Sequence, residues 1–520
     1  MIYSKTMKKQ LKNTFYQLLP PFLSILIILT SVGLFYYIKG YRFNFQTKQV
    51  STTGILSIDT IPPRSNLYIG EKEYGKTPKS VTLPGGEYLL KIEKDGYNSW
   101  QKNVSIIEEK SSSVYPWLIA RDIKEQTIFS SSKILDLDSI YQTESSIFFI
   151  LYEEESDTTS YELWKLKTKS SAWDFTSNPT KILTFSTNNS EKNSYNLLPS
   201  PDSSIVLFSL IRNSDKDRYI VETNKENSLD KLTPIVLNGF SKYSISWNNS
   251  NKELFLESDI DIFSYDLDTN ITYLITKKIP DTFYSFTSDK TGLVYLMTGL
   301  LREEDIYEYS LLQYLPTGTF QKEVIPNIYF YNSEKYIKSY REDPKDLSLP
   351  FKNAKESTKT SGKILSFYVY EDVDGMFIKS EYAGYWFDLN TSKFILVSPY
   401  STDLVSISPL SNQLLFKNSK EIGILTFAIE EGDSLDYVGK RYIWKTVEEE
   451  ISSIQWITNG KNVLFKKDSN LFVSDSDGEN SVEIYSTPTH FVSIETDPSN
   501  ILISYTNEEK DFVIKELTIH

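Results

Sequence analysis

The chain has 520 residues, enough for two to four domains with substantial buried cores. Its formal net charge of −14 argues against nucleic-acid binding, because binding phosphates requires a concentrated basic surface. It contains no cysteine, which excludes disulfides, thiolate catalysis and Cys-based zinc sites. The only histidines are His490 and His520, which leaves little scope for a histidine-based metal centre or catalytic triad.

An uncharged segment, residues 22–38, lies near the N-terminus. As a helix it would span roughly 25 Å, near the lower limit for crossing a bilayer. More basic residues precede the segment than follow it, so the positive-inside rule places the N-terminus in the cytoplasm. We therefore expect a basic cytoplasmic tail at 1–17, a transmembrane signal anchor at 18–41 and a linker at 42–53. A cleaved signal peptide and a buried core helix are the alternatives.

Short stretches of alternating apolar and polar residues follow, from 54 to 119, and each is bounded by Gly or Pro turn signals. This spacing predicts a small antiparallel β-sandwich of about 65 residues. Gly75 and Gly85 fall at predicted turns, where we expect backbone conformations that other residues adopt poorly.

The same stretch carries a series of short motifs in a fixed order: Gly54-x-Leu56-x-Ile58, Pro62-Pro63, Tyr68-Ile69, Gly75-Lys76-Thr77-Pro78, Pro84-Gly85 with Tyr88, and Gly96-Tyr97. In this order and spacing the stretch resembles the PEGA domain, a short β-sandwich of bacterial and archaeal surface and envelope proteins. It departs from the family around Arg64-Ser65-Asn66, where the family has Gly-Ala. The resemblance implies an envelope spacer or adhesion module without catalytic residues.

A four-part pattern recurs through the rest of the chain, 120–520, with a usual period near 40 to 50 residues. The clearest copy, 451–486, reads as four short strands separated by turns that contain Asn-Gly and Asp-Gly. Eight copies begin at the following residues: Lys133, Ser194, Lys242, Phe283, Ile364, Leu404, Ile451 and Phe491. Repeats of this kind predict an all-β fold with a β-propeller of seven or eight four-stranded blades.

Two features complete the predicted propeller. The last copy supplies only three strands, so we expect residues 122–129 to provide the fourth and close the ring, because an unpaired edge invites aggregation. The interval 326–362 breaks the period with polar residues and prolines, which indicates an exposed loop between blades.

Ser-Pro-Asp at 200–202 and Ser-Pro-Leu at 408–410 occupy the first hairpin of their copies. They resemble the turn of WD-like propeller repeats, such as those in the periplasmic propeller of the Tol system. Five tryptophans fall on or beside predicted strands, and we expect them in the packing between blades: Trp164, Trp247, Trp386, Trp444 and Trp456.

A search for chemistry identifies no catalytic residue, cofactor-binding residue or metal ligand. The segments 474–480 and 371–375 look superficially like calcium loops but lack the further oxygen ligands, so tight Asp-Gly hairpins are expected there. Asp259 and Asp261 could in principle serve glycoside hydrolysis, but so could many scattered acidic pairs. His490 lies in a predicted turn, where a surface or packing role is expected.

Three functions compete. The first is a membrane-anchored, extracytoplasmic binding or scaffold protein of the cell envelope, non-enzymatic and without cofactor, whose propeller binds an envelope protein or a polysaccharide. The second is an envelope glycan-processing or peptidase-related propeller enzyme. The third is a sensor that signals through its short cytoplasmic tail. The sequence does not identify which residues would bind the partner.

Overall fold

The computed structural model describes seventeen stretches of the chain, and the fold is built from these: residues 21–36, 41–44, 49–143, 145–168, 178–189, 193–212, 215–235, 243–303, 306–331, 362–391, 393–410, 412–428, 441–446, 451–457, 459–486, 489–494 and 500–519. The regular secondary structure of the described residues is β-strand apart from one α-helix and short 3-10 helices, so the all-β prediction is confirmed. The chain divides into two compact units between Arg121 and Asp122.

The predicted transmembrane helix at 18–41 is wrong. The α-helix near the N-terminus covers 21–36. Sixteen residues extend about 24 Å, short of the ~30 Å hydrocarbon core of a bilayer. No helix in the described stretches is long and apolar enough to cross a membrane.

The N-terminal unit contains two four-stranded sheets. The first consists of Tyr41–Asn44, Gln49–Ile58, Lys79–Pro84 and Ser111–Val114, the last of which pairs in parallel with Gln49–Ile58. The second consists, in sheet order, of Lys72–Lys76, Asn66–Ile69, Gly86–Glu93 and Trp100–Ile106. Alternate side chains from both sheets form one buried cluster around Leu56, Leu67 and Ile92, which is the arrangement of a β-sandwich.

The two glycines singled out in this unit serve different purposes. Gly75 has φ +98° and lies at a β-bulge opposite Leu67, so its backbone requires glycine. Gly85 lacks a left-handed φ; instead a Cβ there would lie 2.6 Å from Cγ of Glu108. The expected turn conformation at Gly85 is therefore wrong, and close packing is the reason for glycine.

The second unit consists of eight successive antiparallel sheets, numbered here 1 to 8 along the chain. Sheet 1 contains Ile134–Gln142, Ser146–Glu154, Thr158–Lys167, Thr180–Asn188 and the short parallel strand Asn227–Ser228. Sheet 2 contains Asn193–Pro199, Ile205–Arg212 and Asp215–Glu222. Sheet 3 contains Ser244–Trp247, Glu253–Glu257, Asp261–Asp266 and Thr272–Lys277. Sheet 4 contains Thr282–Ser288, Val294–Glu303, Ile306–Tyr314 and Phe320–Tyr331.

The remaining four sheets have four strands each. Sheet 5 contains Ile364–Tyr370, Gly375–Ser380, Gly384–Asp388 and Lys393–Ser398. Sheet 6 contains Asp403–Ile407, Gln413–Lys417, Glu421–Thr426 and Arg441–Thr446. Sheet 7 contains Ile451–Trp456, Asn462–Lys467, Asn470–Asp475 and Val482–Tyr485. Sheet 8 contains Val492–Ile494, Asn500–Thr506, Phe512–Thr518 and, from before sheet 1, Lys124–Ser131.

Each sheet packs against its neighbours, and the eighth packs against the first. Buried apolar clusters are shared between successive sheets, and one member from each sheet is, in order along the chain: Phe148 and Phe208, Leu207 and Leu254, Phe255 and Leu296, Tyr309 and Tyr385, Trp386 and Leu414, Ile424 and Trp456, and finally Phe512 and Phe149. Between sheets 7 and 8, Tyr485 contacts Tyr505, and Lys466 Nζ donates a hydrogen bond of 2.7 Å to the Thr489 carbonyl. The sheets therefore form a closed, propeller-like ring.

The position of a strand in the ring explains its sequence. The second strands lie between two other sheets and are buried on both faces; residues 147–151 in sheet 1 are all 0% exposed. This accounts for uninterrupted apolar runs such as "IFFIL". First strands of sheets 1 and 2, 4 and 5, and 6 and 7 contact each other. The first strands thus line the inner edge of the ring.

Three connections differ from the sequence-based expectation. The predicted loop 326–362 begins inside a strand, since Phe320–Tyr331 is the fourth strand of sheet 4; residues 332–361 lie outside the described stretches. The segment 371–375 does connect a hairpin, in which Tyr370 pairs with Gly375, but through a 3-10 helix, Glu371–Val373, rather than a tight Asp-Gly turn. The chain leaves sheet 2 after the third strand. It continues into Asn227–Ser228, which pairs with sheet 1, and then into a 3-10 helix, Leu229–Lys231.

Substituting Phe129 tests how much the closing strand Lys124–Ser131 stabilises the ring. The Phe129 ring lies 5.0 Å from the Trp164 ring and 6.3 Å from the Phe512 ring, centroid to centroid. We expect Phe129→Ala to lower the free energy of unfolding by roughly 2–3 kcal/mol, below the range for a fully buried Phe because this side chain is half-buried. Urea denaturation of the full-length protein measures the effect.

The exposed Gln126 on the same strand provides the control, and Gln126→Ala should change the free energy by less than about 0.5 kcal/mol. Equal effects of the two substitutions would show that the strand adds no specific packing.

Candidate functional site

The inner edge of the ring exposes side chains from several first strands. Leu137, Leu365 and Val405 are 60%, 44% and 39% exposed, and Ser246 and Ser453 are also exposed. One part of this surface is apolar and another is polar, so it offers contacts to a partner without any obvious reactive group.

A cleft of about 250 Å³ opens between sheets 2 and 3. We refer to it as the cationic cleft. Sheet 2 contributes Asn196, Leu198, Leu207, Ser209, Lys216 and Arg218. Sheet 3 contributes the start of its first strand, Ser244 and Ile245, with Tyr243 just before it.

The strand register of sheet 2 places the polar side chains of the cleft in one row. Asn196 pairs with Ser209, and Ser209 pairs with Arg218, so the three side chains share one face across three strands. The next row on that face is apolar, with Leu198 opposite Leu207. A polar row therefore adjoins an apolar one inside a sheet-to-sheet interface.

Two cations lie on the third strand of sheet 2. Arg218 is 5% exposed, and burial lowers the pKa of its guanidinium. Lys216, two residues earlier on the same face, is exposed; partial burial, followed by the positive charge of Arg218, lowers the pKa of its ammonium. Among the residues that the structure describes, no carboxylate forms an ion pair with Lys216. The cleft thus holds positive charge in an otherwise acidic protein.

The acidic groups of sheet 3 near this interface already have hydrogen-bond partners. Asp261 accepts hydrogen bonds of 2.6 Å from the Tyr243 hydroxyl and of 2.6 Å from Ser258 Oγ. Glu257 pairs in register with Ser244, and its carboxylate lies 2.7 Å from Lys278 Nζ. Glu257 is therefore ion-paired within sheet 3, and Asp261 is hydrogen-bonded to two neutral hydroxyls.

A second polar cluster joins the first strands of sheets 1 and 2. Asp136 accepts hydrogen bonds from the Tyr195 hydroxyl and, at 2.7 Å, from Ser139 Oγ. Burial, and secondarily the hydrogen bond to Asp136, raises the pKa of Tyr195 well above its ordinary value. Tyr195 consequently keeps its proton at neutral pH and cannot serve as a general base.

Of the described residues that the sequence analysis considered for catalysis or metal binding, Asp261 lies near the cationic cleft, through its hydrogen bond from Tyr243. His490 Nε2 is 2.8 Å from Thr506 Oγ1, and burial, followed by the charge of Lys466, lowers its pKa; His520 lies outside the described residues. Asp261 is in the hairpin after Glu253–Glu257, where Ser258 and Tyr243 bind its carboxylate. Segment 474–480 is a hairpin between two strands of sheet 7, with Gly478 at φ +86°. Across the described stretches, no group of three or more His, Asp or Glu side chains could hold a metal ion.

The tryptophans lie in packing positions as far as the structure describes them. Trp386 and Trp456 are buried between sheets, and Trp164 and Trp247 are half-buried against apolar clusters. Trp247 also donates a hydrogen bond of 2.7 Å to the Leu198 carbonyl. The side chain of Trp444 lies outside the described residues.

Sequence reasoning missed Lys216 and Arg218. The signal was the spacing in "KDR", which puts both cations on one face of a strand. In a chain with 55 basic residues this spacing alone is weak, because it does not reveal which face is covered by another sheet.

Comparison with known proteins supports part of this description. Residues 53–117 match the PEGA domain family, so the predicted resemblance of this segment is confirmed. No curated protein matches the chain.

Several solved structures resemble this fold at low sequence identity, and three examples follow. The AfRom2 CNH domain is 11% identical, with 63% of this chain and 95% of that chain covered and a TM-score of 0.32. Prolyl oligopeptidase B from Galerina marginata is 11% identical, with 74% and 55% covered and a TM-score of 0.37. Porphyromonas gingivalis dipeptidyl peptidase 4 is 8% identical, with 71% and 56% covered and a TM-score of 0.37. This chain thus spans about half the length of the two peptidases, and similarity at this level carries no functional argument.

Substituting Tyr195 tests the Asp136 cluster through its pH dependence. Because the pKa of Tyr195 is raised on folding, the protonated tyrosine stabilises the folded state below about pH 10, and this stabilisation is lost as the pH rises further. We expect the free energy of unfolding of Tyr195→Phe to decline less steeply than that of the unsubstituted protein above about pH 10.

Denaturant unfolding at a series of pH values measures this difference. Between pH 7 and 9 the two proteins should differ by a constant amount, which serves as the internal control. Parallel profiles up to about pH 11 would contradict the assigned role of Tyr195.

Proposed function

We propose that the protein is a non-enzymatic binding or scaffold protein of the cell envelope, in which the eight sheets are the blades of a β-propeller and the PEGA domain is a spacer. The ring supports this proposal because it is closed by its own N-terminal strand and presents an inner edge and a cleft to other molecules. The PEGA match supports a role at the envelope.

The cationic cleft is the observation that carries the proposal. The interface between sheets 4 and 5 is filled with apolar side chains around Tyr309 and Tyr385, whereas the interface between sheets 2 and 3 leaves about 250 Å³ beside polar and charged groups. Convergent polar groups in a concave, partly apolar site are typical of ligand binding.

The chemistry near the cleft supports binding over catalysis. A hydroxyl nucleophile is commonly activated by an adjacent base. The residues that line the cleft include no histidine or carboxylate. Ser244 donates its hydroxyl to the Glu257 carbonyl, and Tyr243 donates its hydroxyl to Asp261, which also binds Ser258. Lys216 and Arg218 provide positive charge, which binds anions.

We also propose an extracytoplasmic location, on the strength of the PEGA domain. Protease added to intact cells of the native host should then remove the propeller while a cytoplasmic marker protein survives. Protection of the propeller until the cells are lysed would overturn this location.

A photo-crosslinking side chain at Ser244 tests binding at the cleft. Ser244 is exposed and lines the cleft, whereas Ser453 is an equally exposed serine on the first strand of sheet 7 and lies outside it. In the full-length protein expressed in its native cells, we expect irradiation to give an adduct from position 244 and none from position 453.

Two results would count against the proposal. Adducts in equal yield from both positions, or from neither, would remove the cleft as the binding site. Turnover of a peptide or glycan library by the purified full-length protein would favour the enzymatic alternative.

A further inference from the structure

Sheet 4 extends further than sheet 3 on one side of the ring. The Phe255 ring lies 5.1 Å from the Phe286 ring, centroid to centroid, and Phe286 pairs with Leu296, so Phe255 and Leu296 are at the same level in the two sheets. The second strand of sheet 3 ends two residues after Phe255, whereas that of sheet 4 continues for seven residues after Leu296. At about 3.4 Å per residue, sheet 4 therefore projects roughly 17 Å beyond sheet 3.

An apolar surface lies where this projection meets the end of sheet 3. Leu300 is on the same face of its strand as Leu296, which packs on sheet 3, but it lies past the end of that sheet and is 41% exposed. Ile260, in the hairpin after the second strand of sheet 3, is 68% exposed, and Ile279, in the connection to sheet 4, is 65% exposed. We refer to Ile260, Ile279 and Leu300 as the apolar corner.

Backbone contacts hold the three residues of the apolar corner close together. The Lys278 amide donates a hydrogen bond of 2.8 Å to the Ile260 carbonyl, which places Ile260 beside Ile279. The Ile279 carbonyl accepts a hydrogen bond of 3.3 Å from the Thr282 amide, and Thr282 is opposite Leu300 in the strand register. Single exposed apolar side chains are common, but a contiguous group at a concave position is typical of an interaction site.

Two carboxylates border the apolar corner. Asp259 directly precedes Ile260, and Asp281 follows Ile279 by two residues; both are exposed. Within the described stretches, neither carboxylate forms an ion pair. Cationic side chains of a partner that packs on the corner would therefore be attracted to its border.

The cations on the same segments do not neutralise this border. Each of them has an acidic neighbour of its own: Lys278 lies 2.7 Å from Glu257, Arg302 pairs with Glu308, and Lys277 lies opposite Asp261 in the strand register. These charges balance one another, so the carboxylates of Asp259 and Asp281 leave the border of the corner with a net negative charge.

We propose that the apolar corner binds a basic amphipathic helix of a partner protein. The apolar face of the helix packs on Ile260, Ile279 and Leu300, and its Lys or Arg side chains pair with Asp259 and Asp281. A helix is about 10–12 Å wide with its side chains, which fits against the projecting end of sheet 4. The proposal goes beyond binding at the cationic cleft, because no residue of the corner lines that cleft.

Two synthetic peptides separate charge from apolar packing. Both carry leucines at helical spacing over about four turns; the remaining positions are lysines in one and glutamates in the other. Fluorescence anisotropy of the labelled peptides with the purified full-length protein measures binding. The Leu/Lys peptide should bind at least about tenfold more tightly than the Leu/Glu peptide, because only the former is attracted to the acidic border.

Matched substitutions on the two sides of sheet 3 assign the binding to the corner. Ile279→Ser should weaken binding of the Leu/Lys peptide about fivefold or more. Ile271→Ser, at a 47% exposed position in the hairpin on the opposite side of the ring, should change it less than about twofold. Asp281→Asn should weaken binding about threefold, whereas Asp268→Asn, at an exposed position in that opposite hairpin, makes the same change in net charge and should have little effect.

Thermal unfolding of each variant shows whether it folds, and all four positions are on the surface. Equal binding of the two peptides, or equal effects of Ile279→Ser and Ile271→Ser, would overturn the proposal. Equal effects of Asp281→Asn and Asp268→Asn would do the same, because the border would then not attract the cations. Vesicles of anionic phospholipid should not bind through the corner, and weaker vesicle binding by Ile279→Ser alone would assign the surface to a membrane instead. The crosslink at position 244 reports on the cationic cleft, so the two proposals fail independently.

Discussion

The ring depends on one pairing, that of Lys124–Ser131 with Phe512–Thr518, which joins the two ends of the propeller-like unit. Without it, sheet 8 would have three strands and an exposed edge, and the half-buried aromatic ring of Phe129 would lose its partners on sheets 1 and 8. Because every sheet packs against the next, an opening at this point would expose the faces of sheets 8 and 1. Closure by a strand from before the first sheet therefore protects both the edge and the core.

A closed ring also determines where polar groups can lie. Second strands have a sheet on either side, so polar side chains there must find partners within an interface. The same holds for Lys165, buried on the third strand of sheet 1: its ammonium donates a hydrogen bond of 2.8 Å to Thr223 Oγ1 and another to the Ser203 carbonyl, next to sheet 2. The turn at 200–204 thereby connects sheet 2 to sheet 1, and the Asp202 amide connects it to Asn251 of sheet 3. Polar contacts of this kind tie neighbouring sheets together at the hairpins, where the strands end.

The sequence was sufficient for the parts of the fold that repeat. Period-two strands and Asp-Gly or Asn-Gly turns mark the sheets, and the PEGA motifs mark the sandwich, because these features act over a few neighbouring residues. The N-terminal segment was misjudged because a run without charges was interpreted as a bilayer span, whereas no helix in the described stretches is long and apolar enough to cross a membrane. The cationic cleft could not be found because it depends on register across three strands. Only the hairpin geometry places Asn196, Ser209 and Arg218 side by side, and only the packing of sheet 3 turns their row into a cavity wall.

The interfaces around Lys165 and around Arg218 differ in how closely the neighbouring sheet packs. Lys165 is buried, but its donors are used by fixed acceptors on sheet 2, so its role is complete within the fold. The interface that contains Arg218 leaves an open volume of about 250 Å³, and Lys216 is exposed beside it. Filling this space with apolar side chains, as between Tyr309 and Tyr385, would increase burial and avoid the cost of desolvating a cation. Departures from the best packing of this kind are expected at sites selected for binding rather than for stability.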